Sequence, residues 1–338
     1  AGFFAGLGPA SFGEEQPPNW DALFAQLTAL DWGQSLGPLQ PIERAVQQAQ
    51  VSGEPSQATM LEERLLNALR HADHRAAKDY ICRQLARIGT AAAVPDLSQL
   101  LDDEQLAHAA RGALEAIPDK TAVTALRLAL ERVDGRRQTG IIQSLGTLRD
   151  ADSVPRLVEL LRDADPEVAA AAAMALGRIG TREAAQSLDT WDETSSVPRA
   201  TRIDARRIAA EQQLQRGATG EVAKIARRWS SVEPTHVRVM AFRLLLEAEP
   251  AEAEARLKRA LAGEDRWLRA AAADWVSDHA TAGQVESLAG QLAHLPPAGQ
   301  ARLLAALAAN ERSPDAVRRA ALEALRHTEP QVRRAAVE

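Results

Sequence analysis

One cysteine, Cys82, in 338 residues excludes an intramolecular disulfide. Aromatic residues are only 4% of the chain, while apolar residues reach 46%, so the apolar content is mostly alanine and leucine. Both are strong helix formers, and the alternating β-branched and aromatic pattern of strands is missing. The longest apolar run, Val168 to Leu176, falls far short of the ~20 residues that span a bilayer. No HExxH, GxSxG, P-loop or CxxC motif occurs. Gly6-Leu-Gly8-Pro9 is no dinucleotide loop, because Pro9 lacks the needed backbone donor and no helix pattern follows. The opening segment has no basic n-region, so it is not an intact signal peptide, although it could follow one that has been removed. A lone thiol suits reducing and oxidising compartments equally, so cytoplasmic and exported (periplasmic) locations both stand.

What the chain does have is a recurring register. Val94, Leu97, Leu101, Leu114 and Ile117 return as Val123, Leu126, Leu130, Leu145 and Leu148, then as Val154, Leu157, Leu161, Leu176 and Ile179. The step from Val123 to Val154 is 31 residues, as is the step from Leu145 to Leu176. A period of roughly 30 residues carrying two apolar helical stripes predicts an α-solenoid, whose units each pack only on their neighbours. From Thr59 onward the pattern gives about nine helix pairs, over 59–90, 91–119, 120–150, 151–181, 182–219, 220–250, 251–281, 282–313 and a truncated 314–338. Residues 1–19 read as a flexible Gly/Pro-rich tail. Residues 20–58 hold two weaker helices, near Trp20–Leu30 and Pro41–Gln50, expected to act as a cap on the stack or as a linker.

The unit 151–181 shows how each repeat is specified. Asp152 and Ser153 are cap candidates for its first helix, with Pro155 in the first turn, where a missing N–H costs least. Asp165 and Pro166 suit N-cap and N1 of the second helix, and Gly180 suits its left-handed stop. Thr181 can cap the next helix. The small residues Ala172, Ala175 and Gly177 let helices approach closely. A fully buried Leu or Ile contributes about 1.5–3 kcal/mol, against roughly 1–2 kcal/mol to order each residue. A pair alone therefore does not fold, and stacking on neighbours supplies the remainder.

The segment from Asp163-Ala-Asp-Pro166 through Leu176-Gly177-Arg-Ile-Gly180-Thr181 resembles bacterial HEAT repeats, and more narrowly the HEAT-like repeats of the phycobilisome-lyase type. Cys82-Arg-Gln-Leu-Ala-Arg-Ile-Gly89-Thr90, with Ala93-Val94-Pro95, is a second match. Residues 76–181 fit well, whereas 182–338 fit in outline only, having lost the Leu-Gly-x-Ile-Gly signature. The resemblance implies an all-α, right-handed α-solenoid of helix pairs that serves as a scaffold or binding surface. The arrangement also resembles HEAT segments of large secreted multidomain bacterial proteins.

Enzymes of the same fold offer specific comparisons. HEAT-type hydroxylases resemble one another in His-Glu dipeptides that ligate iron, and none of the seven histidines here precedes a glutamate. His71 and His74 could share a helix end, where a solvated pair is the plainer reading than a metal site. Cys82, among Ile81, Leu85 and Ile88, reads as a buried structural thiol rather than a reactive or chromophore-attaching one. HEAT-fold DNA glycosylases present Trp, Asp and Arg on the concave face. Here Trp229, Trp267 and Trp275 lie near Arg227, Arg228, Arg238, Arg243, Arg266, Arg269 and Asp274. Stacking aromatics beside phosphate-binding arginines would suit nucleic acid, but core packing of the tryptophans is the simpler expectation.

Charge narrows the choice. Within the net −6, residues 196–275 hold fifteen basic and eleven acidic side chains, an excess of four. Multiple phosphate contacts need a larger footprint, so a protein partner with an acidic surface fits better, and binding to nucleic acid through 196–275 is the second reading. Arg199, Arg202 and Arg206 follow i, i+3, i+7 spacing and share one helix face. The stripe could continue through Arg238, Arg243, Arg266 and Arg269 on the second helices that line the inner curve. The preceding 192–197 segment is an insertion, of the kind that forms rim loops. The competing reading is a solvated face with ion pairs to Asp204, Glu211 and Glu247. The expectation is therefore a scaffold that binds a partner protein, without catalysis, cofactor, metal or membrane insertion. A HEAT-type lyase or hydroxylase is the third reading. Leu322, Leu325, Val332 and Val337 in the truncated last pair would be poorly covered, so the natural chain is expected to continue beyond Glu338, possessing further domains, or to dock another surface there.

Overall fold

The computed structural model describes residues 18–191, 196–231 and 234–338. Most of the N-terminal tail and residues 192–195 of the insertion lie outside the described residues. The described residues hold twenty α-helices, a few short 3-10 turns and no strand. They form two compact units, one ending at Leu148 and the other starting at Arg149.

In the first unit, α1 (Trp20–Thr28), α2 (Gln40–Ser52), α3 (Pro55–His71) and α4 (Arg75–Ile88) are followed by α5 (Val94–Gln99), α6 (Ala107–Ala116), α7 (Lys120–Leu130) and α8 (Gly135–Thr147). The even-numbered helices pack in series, α2 on α4, α4 on α6 and α6 on α8. The segment 20–58 supplies α1 and α2, with α1 packed against α3 and α2 against α3 and α4. Asn19 caps α1 through its side chain, which accepts from the Ala22 N–H. Glu62 on α3 is buried, and its carboxylate accepts from the backbone N–H of Thr90 at 2.6 Å and from the Thr90 hydroxyl.

The second unit begins with α9 (Val154–Leu160), α10 (Pro166–Ile179), α11 (Arg182–Asp189) and α12 (Arg199–Gln215). It continues through α13 (Thr219–Trp229), α14 (Thr235–Ala248), α15 (Pro250–Ala262) and α16 (Arg266–His279). It ends with α17 (Ala282–Gly290), α18 (Pro297–Asn310), α19 (Pro314–Ala324) and α20 (Pro330–Val337). The even helices again pack in series from α10 to α20. From α3 to α20 the helices make the nine pairs that the register predicts.

Helix α10 carries the local signals intended for it. Asp165 accepts from the Glu167 N–H at 2.8 Å, Pro166 stands in the first turn, and Gly180 is left-handed with φ of 56°. An aspartate N-cap of this kind is worth about 1 kcal/mol. Thr181 then caps α11 by accepting from the Ala184 N–H. The first helix of this repeat departs from expectation. Ala151–Ser153 is a 3-10 turn, and the Ser153 hydroxyl donates backward to the Asp150 carbonyl at 2.8 Å instead of capping α9.

Long-range caps tie neighbouring pairs together. Arg216, just past α12, donates to the carbonyls of Gly180 at 2.6 Å and Ile179 at 2.7 Å, and Gln213 also donates to Gly180. Asn310 does the same for α16, donating to the carbonyls of Val276 at 2.6 Å and Ser277 at 3.0 Å. The last four carbonyls of a helix have no partner within it, and in these two places the following pair satisfies the helix end of the pair before it. That makes α12 a structural clamp on α10 as well as a carrier of candidate site residues.

The poor coverage expected of the last helix pair is found for three of the four apolar residues expected to show it. Leu322 is 55% exposed, Leu325 39% and Val337 76%, whereas Val332 is fully buried against the last core cluster. Helix α20 inserts Val332 between α18 and α19, which the sequence pattern had left uncovered.

Candidate functional site

Four consecutive helices of the second unit build one cavity. Helix α11 ends at Asp189, and the chain then passes through Thr190 to Trp191. Trp191 is buried, and its indole N–H donates to the Leu161 carbonyl at 3.0 Å. That bond fixes the ring as a wall. Helix α12 begins at Arg199 and presents Arg199, Arg202, Ile203 and Arg206 to the cavity. Helix α13 contributes its last turn, Arg228 and Trp229, and α14 adds Val237 and Met240. The cavity, open on one side to solvent, has a volume of about 390 Å³.

The three arginines of α12 share the face that their spacing predicts, but they differ in depth. Arg199 is exposed in the first turn. Arg202 is only 9% exposed. Arg206 is half-buried, and its guanidinium donates from Nε to the Leu188 carbonyl at 2.8 Å and from Nη2 to the Trp191 carbonyl at 3.2 Å. A cation here meets the partial negative charge at the C-terminus of α11. Arg202 and Arg206 are thus part of the framework of the cavity rather than side chains projecting from an open surface. Arg228 forms an ion pair with Asp189.

The remaining candidates sit elsewhere on α14 and α16. Arg238 is half-buried and pairs with Asp265 at 2.9 Å. That hydrogen bond comes first in holding the Asp265 carboxyl below the usual carboxylate range, against its partial burial. Asp265 also caps α16, accepting from the Trp267 and Leu268 N–H groups. Arg243 lies 3.5 Å from Asp274 at the surface. Arg269 donates to the Gly263 carbonyl at 2.7 Å. Arg266 stacks over the Trp267 ring at 4.8 Å, and both are exposed. The stripe is therefore split into a cavity trio and four arginines engaged along α14 to α16. The ion pairs to Asp204 and Glu211 do exist, but Arg207 makes them.

The tryptophans divide the same way. Trp229 is 8% exposed and Trp267 53% exposed. Trp275 is half-buried against the core and stacks on His279 at 5.5 Å. Sequence reasoning passed over Trp191 and Asp189, weighed Arg228 as a nucleic-acid contact, and preferred core packing for Trp229, which its burial agrees with. The available signal was position, because Arg228-Trp229 closes a first helix in the repeat beside the insertion.

Among the described residues, no three His, Cys, Asp or Glu side chains gather as metal ligands would. No helix among them is long and apolar enough to cross a membrane. Cys82 is fully buried on α4, and burial pushes its thiol up to about 12, with the Asp79 charge adding to the effect. The nucleophile is the thiolate. Cys82 is therefore expected to resist an aromatic disulfide reagent in the native chain and to react within the mixing time in denaturant. Equal rates under both conditions would contradict this burial.

Residues 136–207, spanning α8 to the middle of α12, match the family model described as HEAT repeats. No curated protein matches the sequence. Several solved structures are similar. An engineered protein is 20% identical over 93% of this chain and 97% of its own, with a TM-score of 0.40. Human deoxyhypusine hydroxylase in complex with glycerol is 22% identical over 73% of this chain and 94% of its own, with a TM-score of 0.34. The complex of CpcE and CpcF of phycocyanin lyase from Nostoc sp. PCC7120 is 20% identical over 81% of this chain and 91% of its own, with a TM-score of 0.30. TM-scores this low fix no shared activity.

Proposed function

We propose that this chain of HEAT repeats is a non-catalytic scaffold that binds a partner protein with an acidic surface, engaging the arginine-bearing helices α12 to α16. One observation carries the reading: the second unit gathers Arg199, Arg202, Arg206 and Arg228 around a single cavity. Arginine pairs with carboxylates through two parallel hydrogen bonds, and positioned arginines favour an acidic partner over a neutral one. Helix pairs that stack only on neighbours give an extended surface around such a cavity. The ion pairs of Arg238 and Arg243 with Asp265 and Asp274 offset much of the positive charge on α14 and α16. That favours a protein partner over nucleic acid, whose affinity rests on phosphate neutralisation.

The test is affinity capture from an extract of the source organism, with wild-type chain and an Arg199→Ala/Arg228→Ala variant as baits. Both side chains are exposed, so their removal spares the core. A protein recovered by wild type and reduced at least fivefold with the variant is the expected result. Equal recovery by both baits would remove the partner from these helices. Recovery of nucleic acid in place of protein would favour the second reading.

A further inference from the structure

Building on that reading, we infer that the α11–α14 cavity receives a short peptide segment of the partner in which a carboxylate side chain stands next to a bulky apolar one.

The lining dictates both halves of this ligand. Among the described residues, four arginines and one acidic residue, Asp189, line the cavity, and Asp189 is already paired with Arg228. Anionic ligands are therefore favoured over cationic ones. Arg206 is held in place before any ligand arrives. It is tied to two carbonyls, and Arg199 and Arg202 also interact with other groups of the chain. Each guanidinium carries five N–H donors in a rigid fork, so an anchored arginine can serve a further acceptor without losing its anchor. Ordering costs that binding would otherwise incur are reduced in such a site.

The rest of the wall is apolar. Ile203, Val237 and Met240 line it beside Trp191 and Trp229. Methionine adapts its shape to differing side chains. A cavity of about 390 Å³ lies near the small end of the range for ligand pockets, with room for about two or three side chains. The tryptophans discriminate between ligand classes. They are 6% and 8% exposed, so little of either ring is open to a ligand. A nucleobase requires an open aromatic face to stack on, while an aliphatic or aromatic side chain needs only apolar contact. Peptide carboxylates beside apolar residues satisfy the arginines and the wall together.

The experiment is selection of phage-displayed random dodecapeptides on the full chain, repeated on the Arg199→Ala/Arg228→Ala variant and on an Arg207→Ala control. Arg207 lies on α12 but outside the cavity lining and pairs with Glu211. The expected outcome is a consensus of Asp or Glu adjacent to Leu, Met, Phe or Trp. A synthetic peptide of that consensus should bind wild type and the control alike and the double variant at least tenfold more weakly. Replacing its Asp or Glu by Asn or Gln should cost a similar factor. A consensus without an acidic residue, no consensus at all, or binding unchanged in the double variant would overturn the inference. The outcomes separate from those of the capture experiment. A captured partner without an acidic consensus leaves the scaffold reading intact and removes this ligand. An acidic consensus without a captured partner does the reverse.

Discussion

Replacing Gly177 with valine is expected to destabilise the second unit by about 3 kcal/mol or more. Helices α10 and α12 meet closely at this residue. A Cβ on Gly177 would lie 2.7 Å from the Ala205 carbonyl oxygen and 3.3 Å from its Cα. Those atoms are backbone, which no rotamer change can move aside. Overpacking a core typically costs about 1–3 kcal/mol, and more where the helix itself must shift. Here the shift would also displace Gln213 and Arg216 from the α10 carbonyls they cap. Gly112 provides the opposite expectation. It lies on the exposed side of α6, and a Cβ there meets nothing within 4 Å. Gly112→Ala should stabilise the first unit by about 0.5–1 kcal/mol through helix propensity alone. Urea unfolding followed by circular dichroism, with tryptophan emission as a second probe, measures both. Trp191, Trp229, Trp267 and Trp275 all belong to the second unit, so emission weights that unit. An unchanged midpoint for Gly177→Val would mean that the two helices are not in close contact there.

Arg206→Glu is expected to cost a similar amount, about 3 kcal/mol, and for an electrostatic reason. The arginine satisfies the carbonyls of Leu188 and Trp191 where α11 ends. A hydrogen bond from a charged group contributes about 1.5–3 kcal/mol. A glutamate would leave both carbonyls without this donor and add a negative charge to the negative end of a helix dipole, at roughly 0.3–1 kcal/mol more. Arg206→Lys keeps the charge with a single donor head and should cost about 1 kcal/mol, near the net worth of one ordinary hydrogen bond. The urea midpoint of each variant decides the matter. If Arg206→Glu unfolds like wild type, Arg206 is a surface group and belongs with Arg199 as a direct ligand contact. If it is destabilised as expected, its loss of partner binding would report on folding, and Arg199 and Arg228 are the sound probes of the site.

Much of the fold was legible along the chain because its determinants are local. The 31-residue register places α9 and α10 one step after α7 and α8. Asp165, Pro166 and Gly180 mark the ends of α10 within a turn of where they are found. Residues a few positions apart set these features through backbone geometry and capping, which neighbours in space hardly alter. The Arg199, Arg202 and Arg206 face is legible for the same reason, since i, i+3, i+7 spacing on any helix aligns side chains.

Depth and company were not legible. Trp229 and Trp267 look alike in sequence, yet one is buried and the other mostly exposed. Arg202 and Arg243 look alike, yet one lines a cavity nearly out of solvent and the other lies in a surface ion pair. Ser153 looks like a cap and instead donates to the carbonyl three residues behind it.

The sequence by itself determined that this protein is built of helix pairs, without an HExxH, GxSxG, P-loop or CxxC motif and with an arginine face on one helix. Only the tertiary structure decided that Arg228 and Trp229 of α13, Trp191 after α11 and Met240 of α14 meet that face around one cavity. Helix periodicity is written in residues three and four apart, whereas the cavity joins Asp189 to Met240 through the stacking of four helices. Which side of each helix meets its neighbour, and how closely, is settled by the packing of complementary surfaces from different repeats.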